Sequence, residues 1–179
     1  MVIIPFLGIP GDVWGIPVQN LIIIAIFAIA SYTDHLDGKI ARKRNLVTTF
    51  GKFADPLADK ILVLSAMLML VEMDYLPAWI PIIVLAREFV VSGYRLVAVE
   101  KGGKVIAASI WGKIKTCTQM IAIILAFLDL NNFGAFISGN LTGYSLVINV
   151  LSSSLMLIST IAAVFSGVDY LKGGKELLK

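Results

Sequence analysis

Val18-Gln19-Asn20 opens an apolar run that reaches Thr33 and passes without a break into Asp34-His35-Leu36-Asp37-Gly38-Lys39-Ile40-Ala41-Arg42. Eight residues later comes Gly51-Lys52-Phe53-Ala54-Asp55-Pro56-Leu57-Ala58-Asp59, again inside apolar sequence. A carboxylate in hydrocarbon surroundings is costly and persists only with a partner or a function. On a helix, Asp34 and Asp37 (i, i+3) share one face, and so do Asp55 and Asp59 (i, i+4). Four carboxylates converging from two helices repel one another, and a divalent metal with oxygen ligands, Mg2+ or Mn2+, relieves that repulsion. The other reading pairs the four carboxylates with nearby Lys and Arg. Gly38 and Gly51 favour the metal, because they supply positions of close ligand approach that ion pairing does not need.

The surrounding composition sets the class. Of 179 residues, 58% are hydrophobic, and the mean hydropathy is +0.89, well above the globular norm. The expected fold is all-α, a multi-pass transmembrane helix bundle forming one domain over residues 1–179. A span takes about 20 mostly apolar residues. Five stretches qualify: Val18–Thr33 extended through the Asp34 motif, Phe50–Met73, Pro77–Glu100, Val105–Leu130 and Leu141–Phe165. Met1–Ile9 is apolar but short, and reads as the end of a helix or a re-entrant piece. No basic n-region precedes it, so no secretory signal is expected. Cys117 is the single cysteine, which excludes an intrachain disulfide.

The connectors alternate in charge. Ile9–Pro17, Met73–Pro77 and Asp129–Asn140 lack Lys and Arg, whereas Lys39–Lys52, Lys101–Lys104 and Lys172–Lys179 are rich in them. By the positive-inside rule the basic set is cytoplasmic. Both aspartate pairs then lie at the cytoplasmic ends of their helices, in the cell membrane, at headgroup depth. Trp14, Trp79 and Tyr75 lie near the outer connectors, as interfacial anchors do, and Trp111 on the inner side.

Arg87 and Arg95 fall within the Pro77–Glu100 span, and Lys113 and Lys115 near the start of the next. Intramembrane cations face the bundle interior and pair with something. Some of these can neutralise Glu88, Glu100 or the aspartates, but the four together exceed what Glu88 alone can pair. Arg and Lys beside a metal site suit a phosphate-bearing substrate, Arg as a bidentate fork and Lys as a point charge. Other polar residues read as structural. His35 turns about 100° from Asp34. Met67, Met69 and Met73 suit packing, and Ser152–Ser154 and Ser159 suit helix contacts. Lys43, Arg44, Lys172 and Lys175 suit solvent or anionic headgroups.

The string Asp34-x-x-Asp37-Gly38-x-x-Ala41-Arg42, eight residues, Gly51-x-x-x-Asp55-x-x-x-Asp59 resembles the signature of the CDP-alcohol phosphotransferases, with every signature position filled. Arg87-Glu88 through Arg95, then Gly112-Lys113-Ile114-Lys115-Thr116 and Gln119-Met120, resemble those bacterial members that use sn-glycerol 3-phosphate as acceptor. The close resemblance runs from Ser31 to Met120, and the last span matches in hydropathy alone. It implies a membrane enzyme of six helices, here with the first one shortened, acting as a homodimer on CDP-diacylglycerol and releasing CMP. It implies two metal ions on Asp34, Asp37 and Asp55 with help from Asp59, and Asp59 as general base. It implies Gly38, Ala41, Arg42 and Gly51 against the CDP group of CDP-diacylglycerol, and Arg87, Arg95, Lys113 and Lys115 around the acceptor phosphate. Membrane lipids surround such a protein, and no nucleic-acid partner is expected.

One departure stands out. Members of the family usually begin with a polar segment holding Asn, Thr and Arg, whereas this sequence starts Met1-Val2-Ile3-Ile4-Pro5. A shortened or incompletely recorded chain, or weakened nucleotide binding, are the two expectations it raises. Rival functions are a related enzyme with another acceptor, such as inositol phosphate, and a divalent-cation transporter. A transporter wants carboxylates near the midplane, and the neighbouring cations would repel its cargo.

Overall fold

The computed structural model describes residue 4 and residues 9–43, 49–100 and 110–173. Within the helices, the side chains of residues 34, 35, 37–43, 49–57, 59 and 95–100 lie outside the described set. The short apolar piece at residues 1–8, apart from Ile4, also lies outside it, and so does the sequence's sixth, shortened helix. The described architecture is mostly helical: a small hairpin, then five α-helices. The chain divides into two compact units, Met1–Tyr75 and Leu76–Lys179.

The first unit opens with a two-stranded hairpin, β1 (Asp12–Val13) against β2 (Ile16–Pro17), in a stretch that the sequence reading leaves as a plain connector. Trp14 and Gly15 form its two-residue loop, both at positive φ, 55° and 79°. Positive φ at both central residues is the turn whose twist matches paired strands. Trp14 points into the open, 97% exposed. The Val18 N–H donates to the Gly11 carbonyl (3.0 Å), tying the hairpin to the start of helix α1, Val18–Lys43. Pro17 stands just ahead of that helix, where its missing N–H costs nothing.

Helix α2, Thr49–Glu72, packs on α1. Asn20, Ile23 and Phe27 on α1 and Ala66, Met67, Met69 and Leu70 on α2 are the buried stripes, at the i, i+3/i+4 repeat of packed helices. Met67 and Met69 are thus packing residues, as the sequence suggests. α2 ends in a wrapped C-terminus: Tyr75 N–H donates to Leu70 O (2.8 Å) and Asp74 N–H to Val71 O (3.1 Å), with Asp74 at φ 59°. This pairing satisfies the last carbonyls of the helix.

The second unit holds α3 (Trp79–Glu100), α4 (Ile110–Asp129), a 3-10 turn at Ala135–Ser138, and α5 (Gly143–Gly173). α5 is the central member and packs on both α3 and α4. Its inward face carries small residues, Ser152, Ser159, Ala162, Ala163 and Ser166, all buried. Small side chains let helix backbones approach closely where no hydrophobic drive separates helix from lipid. Trp111 stacks on Phe165 (centroids 5.2 Å apart) near one end of the α4–α5 pair, and Asn149 bonds Asp129 near the other, so these helices run antiparallel.

Among the described residues, two stretches, Ile110–Asp129 and Gly143–Lys172, are by themselves long and apolar enough to cross a membrane, and Val18–Thr33 is an apolar stretch within α1. The sequence reading takes five spans. The difference comes from charge within the helices: α2 carries Asp55, Asp59 and Lys60, and α3 carries Arg87, Glu88 and Arg95.

Candidate active site

Both halves of the aspartate motif fall on continuous helix. Asp34, Asp37, Gly38, Ala41 and Arg42 occupy the last turns of α1, and Gly51, Asp55 and Asp59 the first turns of α2. The spacings of three, four, seven and eight residues put each set on one stripe of its helix. Five residues, 44–48, join the two helices, and so short a connection makes antiparallel neighbours. Asp37 and Asp55 each stand seven residues from that connector, so the two pairs occupy matching levels. All these side chains lie outside the described set, as does that of Arg95. His35 does too.

The basic half is described in atomic detail within the second unit. Glu88 on α3 is its hub. Arg87 Nη1 donates to Glu88 Oε1 at 2.8 Å, and Lys115 Nζ on α4 donates to the same oxygen at 2.9 Å. Side-chain exposures are 12% for Arg87, 17% for Glu88 and 8% for Lys115. Arg87 Nη2 donates to Ser166 Oγ on α5 at 2.6 Å. The group thus ties all three helices of the unit together. Among the described residues the group sets two cations against one carboxylate in a partly dry setting, where an anion is held more strongly than in water. The structure also gives the ion-pairing reading its due: Arg87 and Lys115 do pair with Glu88. Lys113 is not brought in. It is exposed, and among the described residues it makes no hydrogen bond or ion pair.

Sequence reasoning missed two features here. Ser166 sits in a span read for hydropathy alone, and the Ser166-Gly167 pair of small residues was its one visible signal. The second is a polar cluster at the opposite end of α4 and α5. Asp129 is 6% exposed, and its carboxylate accepts from Asn131 Nδ2 (3.0 Å), Asn149 Nδ2 (2.8 Å) and Ser152 Oγ (2.6 Å). Asn149 Oδ1 accepts from the Phe136 N–H (2.8 Å) and Ser153 Oγ from the Gly134 N–H (2.9 Å), which seats the connecting turn. Ser152, Ser153 and Ser159 are therefore buried structural residues, as expected, while Ser154 is exposed.

The first unit thus carries the paired aspartates on two neighbouring helices, and the second carries a partly buried cationic cluster. The sequence model of the CDP-alcohol phosphatidyltransferase family matches residues 1–165, and the chain belongs to that family. It is 43% identical over 164 residues to the CDP-diacylglycerol–glycerol-3-phosphate 3-phosphatidyltransferase of Bacillus subtilis, covering 92% of this chain and 79% of the relative. The enzyme of the same name from Haemophilus influenzae is 34% identical, over 99% of this chain and 90% of the relative. A probable phosphatidylglycerophosphate synthase of Mycobacterium tuberculosis is 40% identical over 82% of this chain and 62% of its own length.

Proposed function

We propose that this chain transfers the phosphatidyl group of CDP-diacylglycerol to sn-glycerol 3-phosphate, giving phosphatidylglycerophosphate and CMP. The observation that carries this is the complete two-helix aspartate motif together with relatives of that activity along most of the chain. The family match spans both compact units, which supports one catalytic domain over residues 1–179.

Asp34, Asp37, Asp55 and Asp59 are an all-oxygen donor set without thiol, and fit two Mg2+ or Mn2+ ions. Bound there, the ions supply charge neutralisation for the pyrophosphate. Asp59 also accepts the proton of the acceptor hydroxyl as its oxygen bonds to the β-phosphorus. The bond from that phosphorus to the CMP oxygen breaks, and CMP leaves. Gly38, Ala41, Arg42 and Gly51 lie along the CDP group. Arg87, Arg95 and Lys115 hold the acceptor phosphate, with Lys113 adding charge from an exposed position, turning a collision into a positioned attack. The chain works in the cell membrane as a homodimer of six-helix bundles with its site toward the cytoplasm. The placement of Lys and Arg along the sequence supports that orientation.

The test is a thin-layer assay of purified protein with CDP-diacylglycerol and a panel of alcohols, with and without chelator. Product with glycerol 3-phosphate, lost in EDTA and restored by Mg2+ or Mn2+, is the expected result. Product with inositol phosphate instead would reassign the acceptor. Full turnover in EDTA would end the metal assignment.

A further inference from the structure

The clamp on Arg87 includes a hydroxyl that belongs to neither the aspartate motif nor the basic cluster. Ser166 is fully buried and lies 79 residues from Arg87 in sequence. It receives Nη2–H at 2.6 Å while Glu88 receives Nη1–H at 2.8 Å. With both terminal nitrogens held, the guanidinium plane cannot turn without losing a charge-assisted hydrogen bond. Gly112 completes the seat by what it lacks: a Cβ there would stand 3.1 Å from Arg87 Nη2 and 3.6 Å from Ser166 Oγ. Among the described residues the buried Nε–H of Arg87 has no acceptor. A guanidinium has five N–H donors, and a buried one left unmet is costly. The held side chain therefore still has donors to offer.

We propose that Ser166 is a positioning residue for the acceptor phosphate: its Oγ, across the bare Cα of Gly112, fixes the Arg87 guanidinium so that the remaining N–H donors meet that phosphate. The proposal rests on the assignment of Arg87 to the acceptor. A neutral hydroxyl suits this task better than a second carboxylate. It orients the guanidinium without cancelling the charge that attracts the phosphate.

Steady-state kinetics of the full chain in lipid nanodiscs, with both substrates varied, test it. Ser166→Ala raises the KM for glycerol 3-phosphate roughly tenfold, the scale of one charge-assisted hydrogen bond, and leaves kcat and the CDP-diacylglycerol KM near the parent values. Gly112→Ala keeps the hydroxyl but displaces Nη2, and moves the same KM in the same direction. In an Arg87→Ala background, Ser166→Ala has no further effect, since nothing remains to be positioned. A merely structural Ser166 behaves differently: its loss lowers the thermal midpoint with the acceptor KM unchanged, or raises both KM values together, or adds the same factor with Arg87 absent. Any of these overturns the proposal. If Arg87→Ala raises the acceptor KM and neither Ser166→Ala nor Gly112→Ala does, positioning is wrong and the acceptor assignment stands. If Arg87→Ala changes the donor KM instead, both fall. Should Ser166→Ala fail to fold, Gly112→Ala decides alone.

Discussion

One carboxylate stands toward each end of the α4–α5 pair, Asp129 buried within it and Glu88 on α3 partly buried against it, and the two are treated in opposite ways. Asp129 is met by neutral donors, two amides and a hydroxyl, all from its own hairpin. Glu88 is met by two full cations from two helices, one of them also held by a third. The first arrangement solvates the carboxylate with neutral hydrogen bonds and keeps its negative charge, which repels a phosphate. Its donors close the turn between the helices, so it acts as a staple. Among the described residues the second holds two cations against one carboxylate in a partly buried place. The two places differ in the sign of their charge, and only the positive one suits the phosphate of the proposed acceptor.

The comparison can be broken at several strengths. Asp59→Asn gives the largest effect: a general base contributes about 10²- to 10⁴-fold, so kcat falls on that scale while CDP-diacylglycerol binding largely persists. Equal loss of donor affinity, measured by binding of a labelled analogue, would make Asp59 chiefly a ligand. Lys115→Ala comes next. Removing a charge-assisted hydrogen bond from a partly dry pocket costs about 1.5–3 kcal/mol, which raises the acceptor KM roughly 10- to 150-fold. An unchanged acceptor KM with a lower melting temperature would place Lys115 with the staples.

Asp129→Asn should do the reverse of these. An amide turns an acceptor into a donor against Asn149 and Ser152, at a cost of about 1–3 kcal/mol, so the thermal midpoint drops while turnover per folded molecule holds. Loss of turnover ahead of unfolding would erase the contrast between the two ends. Lys113→Ala is the smallest change. It is an exposed charge, and exposed charges are screened by salt. The acceptor KM should shift by less than about threefold, and the shift should fade as ionic strength rises. A large, salt-insensitive effect would move Lys113 into the buried cluster.

What could be read from the sequence follows the range of the interactions. The aspartate motif is legible because its spacing is set within single helices, at three and four residues. The helices themselves are legible because apolar runs of that length have few other fates. The Asp129 staple is not, since Asn149 and Ser152 lie 20 and 23 residues away. Asp129 therefore reads as the start of a polar connector. Ser166 is hidden for the same reason, at a separation of 79 residues. The hairpin at Asp12–Pro17 escapes notice because its loop is Trp14-Gly15, where Asn-Gly or Asp-Gly would have announced it. Glu88 was counted as a counter-ion, which it is. That it organises Arg87 and Lys115 together needed α3 and α4 both packed on α5.

The length of α5 has a consequence of its own. Its 31 residues extend about 46 Å at 1.5 Å per residue, against a hydrocarbon layer of about 30 Å. Lying wholly inside that layer would demand a tilt near 50°, beyond the roughly 0–40° that membrane helices adopt. Some turns of the helix must therefore stand in the headgroups or in water. Ser166 is about 35 Å along the axis from Gly143, so a helix that enters the layer at its first turn leaves it near the seat of Arg87. α5 then works as a depth gauge. On the proposed assignment of Arg87, a water-borne phosphate reaches its clamp without crossing oil, while the acyl chains of its reaction partner never leave it.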